Sequence, residues 1–217
     1  MTKFKICGLR DFDSAVHSRK CGASLLGFVF VDNVRRQISL ELAVEIITKY
    51  REITGKGGPG LVGLFANQTT DLVNRVAEVC GLDMVQLCGS ENSDYCKDIE
   101  IPIVRQVKIS IEQPRDVIID QLKRDVEEVT RYGAIPLLDR MVEGSLGGTG
   151  KTFDWSITSH LDDDCKFILA GGLTPTNVEE AINMSSPWLV DVSSGVESSG
   201  IKDKDKITAF AKSVRGN

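Results

Sequence analysis

The chain reads as an α/β protein, a single (β/α)8 TIM barrel occupying residues 1–217 as one domain. Three observations predict it. Eight short apolar runs alternate with eight helical patterns, at about 27 residues per unit, a compact size for this barrel. No linker or composition break divides the chain. The last two apolar runs each end in a small-residue turn, Gly171-Gly172 and Ser193-Ser194-Gly195, where such barrels seat a phosphate. A doubly wound open sheet also alternates strands and helices; the number eight and the late position of the turns favour the barrel.

The elements follow in order. Phe4–Gly8 opens as a strand, and Asp11 caps the helix after it. Leu25–Phe30 is continuously apolar, as parallel strands buried on both faces tend to be. Ser39 is the N-cap of a helix from Leu40. A glycine-rich loop leads to strand 61–66, and helical spacing of Leu72, Val73, Val76, Ala77 and Val79 predicts a helix over 70–80. A strand over 83–87 ends at Cys88-Gly89. A short helix around Asp94–Lys97, a strand over 101–109 and a helix over 115–129 follow. Ala134–Leu138 is a strand stopping on Asp139. Asp154 caps a helix starting at Trp155. The strand Phe167–Ala170, a helix over 174–184, the strand Trp188–Val192 and an amphipathic helix over 203–215 close the chain.

Composition narrows the function. Hydrophobic residues make up 41% and charged residues 26%, ordinary for a globular protein with a full core. The net charge of −5 speaks against a nucleic-acid groove, which wants a basic face. It leaves room for one small anion held by backbone N–H groups. No run is apolar enough to span a membrane, and the first ten residues do not read as a signal peptide. Six cysteines without CxxC or metal-ligand spacing suggest reduced thiols in a cytoplasm and no metal site.

Reactive groups of this fold sit at the C-terminal ends of strands, so those positions are the candidates. Cys7 ends the first strand. A lone strand-end cysteine is most often a small core residue, and its chemical reading is a thiolate base or nucleophile. Asp139 ends an apolar run; besides a turn residue, it is a candidate general acid whose pKa an apolar mouth would raise. Gln86 and Cys88 end the fourth strand. Arg36 has the fork geometry that pairs with a carboxylate. Gly148, within Gly147-Gly148-Thr149-Gly150, joins Gly171, Gly172, Ser193, Ser194 and Gly195 as small-residue turns on consecutive strands, with Asp191 placed to orient the last. Lys108, near the end of the fifth strand, is a Schiff-base candidate if desolvated.

Taken together, KICGLR (5–10), GFVF (27–30), RRQIS (35–39), VQLCG (85–89) and LLD (137–139) resemble one family. GGTGKTFDW (147–155), AGGLTP (170–175), DVSSGVE (191–197) and GIKD (200–203) continue the likeness in the same order along nearly the whole chain. The family is phosphoribosylanthranilate isomerase, of tryptophan biosynthesis. The resemblance implies a barrel without metal or organic cofactor, monomeric or homodimeric, that acts on a small phosphorylated sugar–anthranilate by an Amadori rearrangement. This is an aldose–ketose isomerisation, formally an intramolecular oxidoreduction. It also implies Asp139 as general acid, Cys7 as general base, Arg36 on the anthranilate carboxylate, and the small-residue turns on the phosphate. One position departs: the family commonly reads QLHG where this chain has Gln86-Leu87-Cys88-Gly89. Three other readings stay open. One is a related isomerase acting on an aminoimidazole ribotide of histidine biosynthesis, usually built on two aspartates. Another is an aldolase using Lys108, and the third is a silent phosphate-binding barrel.

Overall fold

The computed structural model describes residues 1–55, 57–141 and 152–216. Eight parallel strands close into a barrel in sequence order. They are β1 (Lys3–Cys7), β2 (Leu25–Val29), β3 (Gly60–Phe65), β4 (Met84–Leu87), β5 (Ile103–Ile109), β6 (Ile135–Arg140), β7 (Ile168–Leu169) and β8 (Leu189–Val192). Closure joins β1 to β8, with Lys5 beside Asp191 in the ladder.

Helices α1 (Phe12–Lys20), α2 (Leu40–Thr54), α3 (Thr70–Cys80), α4 (Ser93–Lys97), α5 (Arg115–Arg131), α6 (Val178–Ser185) and α7 (Lys204–Arg215) follow strands on the outside. Most of their starts are chemically marked. Asp11 accepts from the Ser14 N–H at 2.7 Å, Ser39 from Leu42 at 3.2 Å and Asn92 from Tyr95 at 2.9 Å. Such caps satisfy N–H groups that the first turn leaves unpaired.

The structure departs from the expected eight-helix pattern in three places. The segment Trp155–His160, capped by Asp154 as expected, is a 3-10 helix. The helix expected from 174 starts at Val178, because Asn177 turns back to bind the preceding loop. Between β8 and α7 the chain forms a 3-10 turn, Ser194–Val196, and a small antiparallel pair, β9 (Glu197–Ser198) with β10 (Ile201–Lys202). Two-residue strands are too short for apolar alternation to reveal.

Each strand buries both faces, and alternation assigns them. Phe4, Ile6, Val85, Leu87, Leu138 and Val190 point outward into the helix layer. The Phe4 and Phe210 rings meet edge to face at 6.1 Å, fixing α7 against β1. Cys7, Val62, Leu64, Cys88, Val104, Leu137 and Leu189 form a separate interior cluster. In that inward register five buried polar side chains also fall, Lys5, Gln86, Gln106, Asp139 and Asp191. Lys5 and Gln86 lie one inward position below Cys7 and Cys88, and Asp139 and Asp191 one inward position above Leu137 and Leu189. No helix among the described residues is long and apolar enough to cross a membrane.

Candidate active site

A cavity of about 570 Å³ opens at the C-terminal mouth of the barrel. Its lining includes Cys7, Arg36, Gln86, Cys88, Gln106, Asp139, Gly171, Gly172, Asp191, Ser193 and Ser194. Strand ends separated by up to 186 residues in sequence thus converge on one space. Gly148 lies outside the described residues. Gly195 does not line the cavity: a Cβ there would overlap the Leu173 carbonyl oxygen, so glycine lets the two last turns touch. Lys108 is also elsewhere, bordering a smaller cavity of about 210 Å³ between β5 and α5.

Asp139 is 7% exposed and accepts a hydrogen bond from Gln106 Nε2 to its Oδ2 at 2.9 Å. Burial pushes its carboxyl up to about 6, against the smaller opposing effect of the Gln106 bond. A carboxyl so tuned can hold a proton near neutrality and release it. Cys7 is buried next to Gly27, where a Cβ would lie 3.0 Å from both Cys7 Sγ and Lys5 Cε. Burial raises the Cys7 thiol above its ordinary value, although Lys5, Lys202 and Arg36 favour the thiolate. Cys88 is a neutral thiol, pushed up to about 12 by burial, and receives a hydrogen bond from Gln86 Nε2 at 3.4 Å.

Beneath these groups lies a pair that the linear reading missed. Lys5 Nζ donates to Gln86 Oε1 at 2.5 Å and to Asp191 Oδ2 at 3.0 Å. Burial opposes the Lys5 charge, but Asp191 and Cys7 outweigh it and raise its pKa. Among the described residues, the other Asp191 oxygen, Oδ1, has no partner. Asp191 therefore does not hold the Ser193 turn, contrary to its expected role. Lys202 holds that turn instead, donating to the Ser193 carbonyl at 2.9 Å, while Ser193 Oγ donates to the Cys7 carbonyl at 3.0 Å. The signal for Lys5 was present in its spacing, two residues before Cys7 and so on the same strand face.

The turns after β7 and β8 offer main-chain groups to the cavity. Gly171 and Gly172 take φ of 84° and 67°, conformations that glycine adopts without a Cβ penalty. Asn177 clamps this turn, donating to the Gly172 carbonyl at 3.0 Å and accepting from the Thr174 N–H at 2.8 Å. The backbone N–H groups of Gly171, Gly172 and Ser193 meet no backbone acceptor among the described residues. Unpaired N–H groups at neighbouring strand ends suit a phosphate.

Arg36 reaches the mouth over Gly8, whose φ is 78° and whose added Cβ would lie 2.6 Å from Arg36 Cδ. Its Nε and Nη2 donate to the two carboxylate oxygens of Glu197 at 2.6 and 3.0 Å. Glu197 also accepts from Lys202 at 2.7 Å and from Arg35 at 2.7 Å. Burial would raise the Glu197 carboxyl, but the Arg36 and Lys202 bonds overcome it and bring it to about 2.

A (β/α)8 barrel whose C-terminal mouth joins a carboxyl of raised pKa, a thiol, an arginine and unpaired main-chain N–H groups has the features of a barrel enzyme. Comparison narrows the class. The family model for N-(5'phosphoribosyl)anthranilate (PRA) isomerase matches residues 4–213. The N-(5'-phosphoribosyl)anthranilate isomerase of Geotalea uraniireducens is 39% identical over the full length of both chains. That of Dehalococcoides mccartyi is 37% identical, covering 99% of this chain and 96% of the relative. The crystal structure of the Thermotoga maritima enzyme superposes with a TM-score of 0.83 at 32% identity, covering both chains fully. A further isomerase structure, solved in complex with reduced 1-(o-carboxyphenylamino)-1-deoxyribulose 5-phosphate, gives a TM-score of 0.80 at 32% identity, again over both full chains. The chain belongs to the N-(5'-phosphoribosyl)anthranilate isomerase family.

Proposed function

We propose that the chain converts N-(5'-phosphoribosyl)anthranilate to 1-(2-carboxyphenylamino)-1-deoxy-D-ribulose 5-phosphate in tryptophan biosynthesis, with Asp139 as general acid and Cys7 as general base. The observation that carries the assignment is the sharing of one cavity by Asp139, Cys7, Arg36 and the two anion turns. The 5'-phosphate takes the N–H groups of Gly171, Gly172 and Ser193, with Ser194 beside it. The anthranilate carboxylate takes the Arg36 edge that Glu197 leaves open.

Protonated Asp139 gives its proton to the ribose ring oxygen. The C1'–O bond breaks as the nitrogen lone pair forms the C1'=N bond of an open iminium. That cation acidifies the C2' hydrogen, which the Cys7 thiolate removes to leave an enolamine. Ketonisation returns a proton from Cys7 to C1', and the Asp139 carboxylate takes the C2' hydroxyl proton. Both groups end as they began. Gln106 orients Asp139, and Lys5, facing the same interior, counters charge on Cys7 and Asp191. Cys88 packs beside them as a neutral thiol, so substrate contact there is apolar. The six unpaired cysteines suit a reducing compartment, and we place the enzyme in the cytoplasm.

The decisive assay follows loss of the substrate's anthranilate fluorescence with purified protein. Cys7→Ser and Asp139→Asn are each expected to slow turnover by roughly 10²–10⁴-fold, the contribution of a positioned acid or base. Wild-type turnover by both variants would remove the assigned roles.

A further inference from the structure

Behind Arg36, which lines the cavity's mouth, lies a buried carboxylate with no part in the proposed proton transfers. Glu197 opens β9, and its side chain is only 5% exposed, yet three cations converge on it. Arg36 binds it with Nε and Nη2, Lys202 at 2.7 Å and Arg35 at 2.7 Å. One acid among three bases leaves the cluster with two net positive charges beside an anion seat. A residue present only to neutralise Arg36 would not need the other two.

We propose that Glu197 is a positioning residue for substrate selection. It grips the Nε edge of Arg36 so that the opposite edge of the guanidinium is presented, already ordered, to the substrate's carboxylate. The proposal rests on the substrate reading given above.

Entropy and geometry both support it. An arginine on a loop samples many rotamers, and fixing it before binding removes an ordering cost from the binding step. The fork is planar, so gripping one edge sets the direction of the other. The stem is confined as well, because it lies over Gly8 at a distance that leaves no room for a Cβ. The same carboxylate reaches the other end of the site: Lys202 donates to Glu197 and to the Ser193 carbonyl at 2.9 Å, and Ser193 Oγ donates to the Cys7 carbonyl at 3.0 Å. Lys202 is thus a brace for the phosphate turn, and Glu197 joins the carboxylate reader to the phosphate seat.

The test compares two substrates, N-(5'-phosphoribosyl)anthranilate and its analogue made from aniline, which lacks the carboxylate but keeps the phosphate. Glu197→Gln keeps the shape and loses the charge. It is expected to cut kcat/KM for the anthranilate substrate by about tenfold or more, chiefly through KM, as a loosened charge-assisted fork should. Its effect on the aniline analogue should stay under about threefold, so the wild-type preference for the carboxylate shrinks. Equal losses on the two substrates in Glu197→Gln overturn the proposal and leave Glu197 a structural residue. Wild-type protein that turns over neither substrate overturns the underlying reading, and the proposal with it. If Glu197→Gln does not fold, Glu197→Asp, which keeps the charge but falls short of Arg36, is read by the same two-substrate ratio.

Discussion

Gln106 Nε2 donates to Asp139 Oδ2 at 2.9 Å across the neighbouring strands β5 and β6, inside the barrel mouth. The bond orients the carboxyl but does not lower its pKa enough to offset burial, and the group titrates at about 6. A carboxyl raised in the folded state binds its proton more tightly there than in the unfolded chain. Its stabilising contribution is therefore complete below the ordinary carboxyl value near 3.8 and is lost as pH rises through about 6. At pH 7 the ionised, buried group works against the fold. Asp139→Asn is expected to lose turnover while gaining up to ~3 kcal/mol of stability at pH 7, and little at pH 4. Denaturant melts at the two pH values check this; a variant less stable than wild type at pH 7 refutes it.

The pH profile of kcat/KM tests the pairing of acid and base. In the proposed mechanism the productive form needs Asp139 protonated and Cys7 ionised, although Asp139 titrates at about 6 and the thiol above its ordinary 9.0. Between these values each unit of pH makes roughly tenfold more thiolate and tenfold less protonated acid. The two effects cancel, so a plateau is expected from about pH 6 to beyond 9. A rate that falls tenfold per unit across that range would show that only the acid form of Asp139 matters and that Cys7 is not the base.

Gly8→Ala tests the corridor for Arg36. Its φ of 78° strains any residue with a Cβ, and the new methyl would lie 2.6 Å from Arg36 Cδ and 3.2 Å from Ser193 Oγ. We expect ~1–2 kcal/mol lost from stability, from the left-handed backbone alone. We also expect KM to rise, with a smaller change in kcat, because Arg36 is displaced. Unfolding curves and steady-state kinetics on one preparation decide both; an unchanged KM would detach Arg36 from substrate binding.

Lys5→Met tests the buried pair. Lys5 is 1% exposed and Asp191 8%, so removing the ammonium strands a carboxylate in the barrel. A cost of roughly 3–5 kcal/mol is expected, with part of it recovered in Lys5→Met/Asp191→Asn. Additive losses in the double-mutant cycle, measured by urea unfolding, would mean that the pair does not interact.

Much of this protein was legible in the linear chain because its signals are local. Apolar runs, caps such as Asp11 and Ser39, and the Gly171-Gly172 and Ser193-Ser194 turns depend on residues close in sequence. So does the placing of Cys7 and Asp139 at strand ends. The motifs that carry the family resemblance are equally local. What closure of the barrel decided is which residues share a face and how charges pair. Lys5 meets Asp191 only because β1 lies against β8, and Gln106 meets Asp139 only because β5 and β6 stand in that register. Glu197 grips Arg36 from 161 residues away. Pairing energies and burial depend on distance in space, which periodicity along a chain does not encode; hence the strand-end positions of Cys7 and Asp139 could be read early, while their protonation and their supports could not.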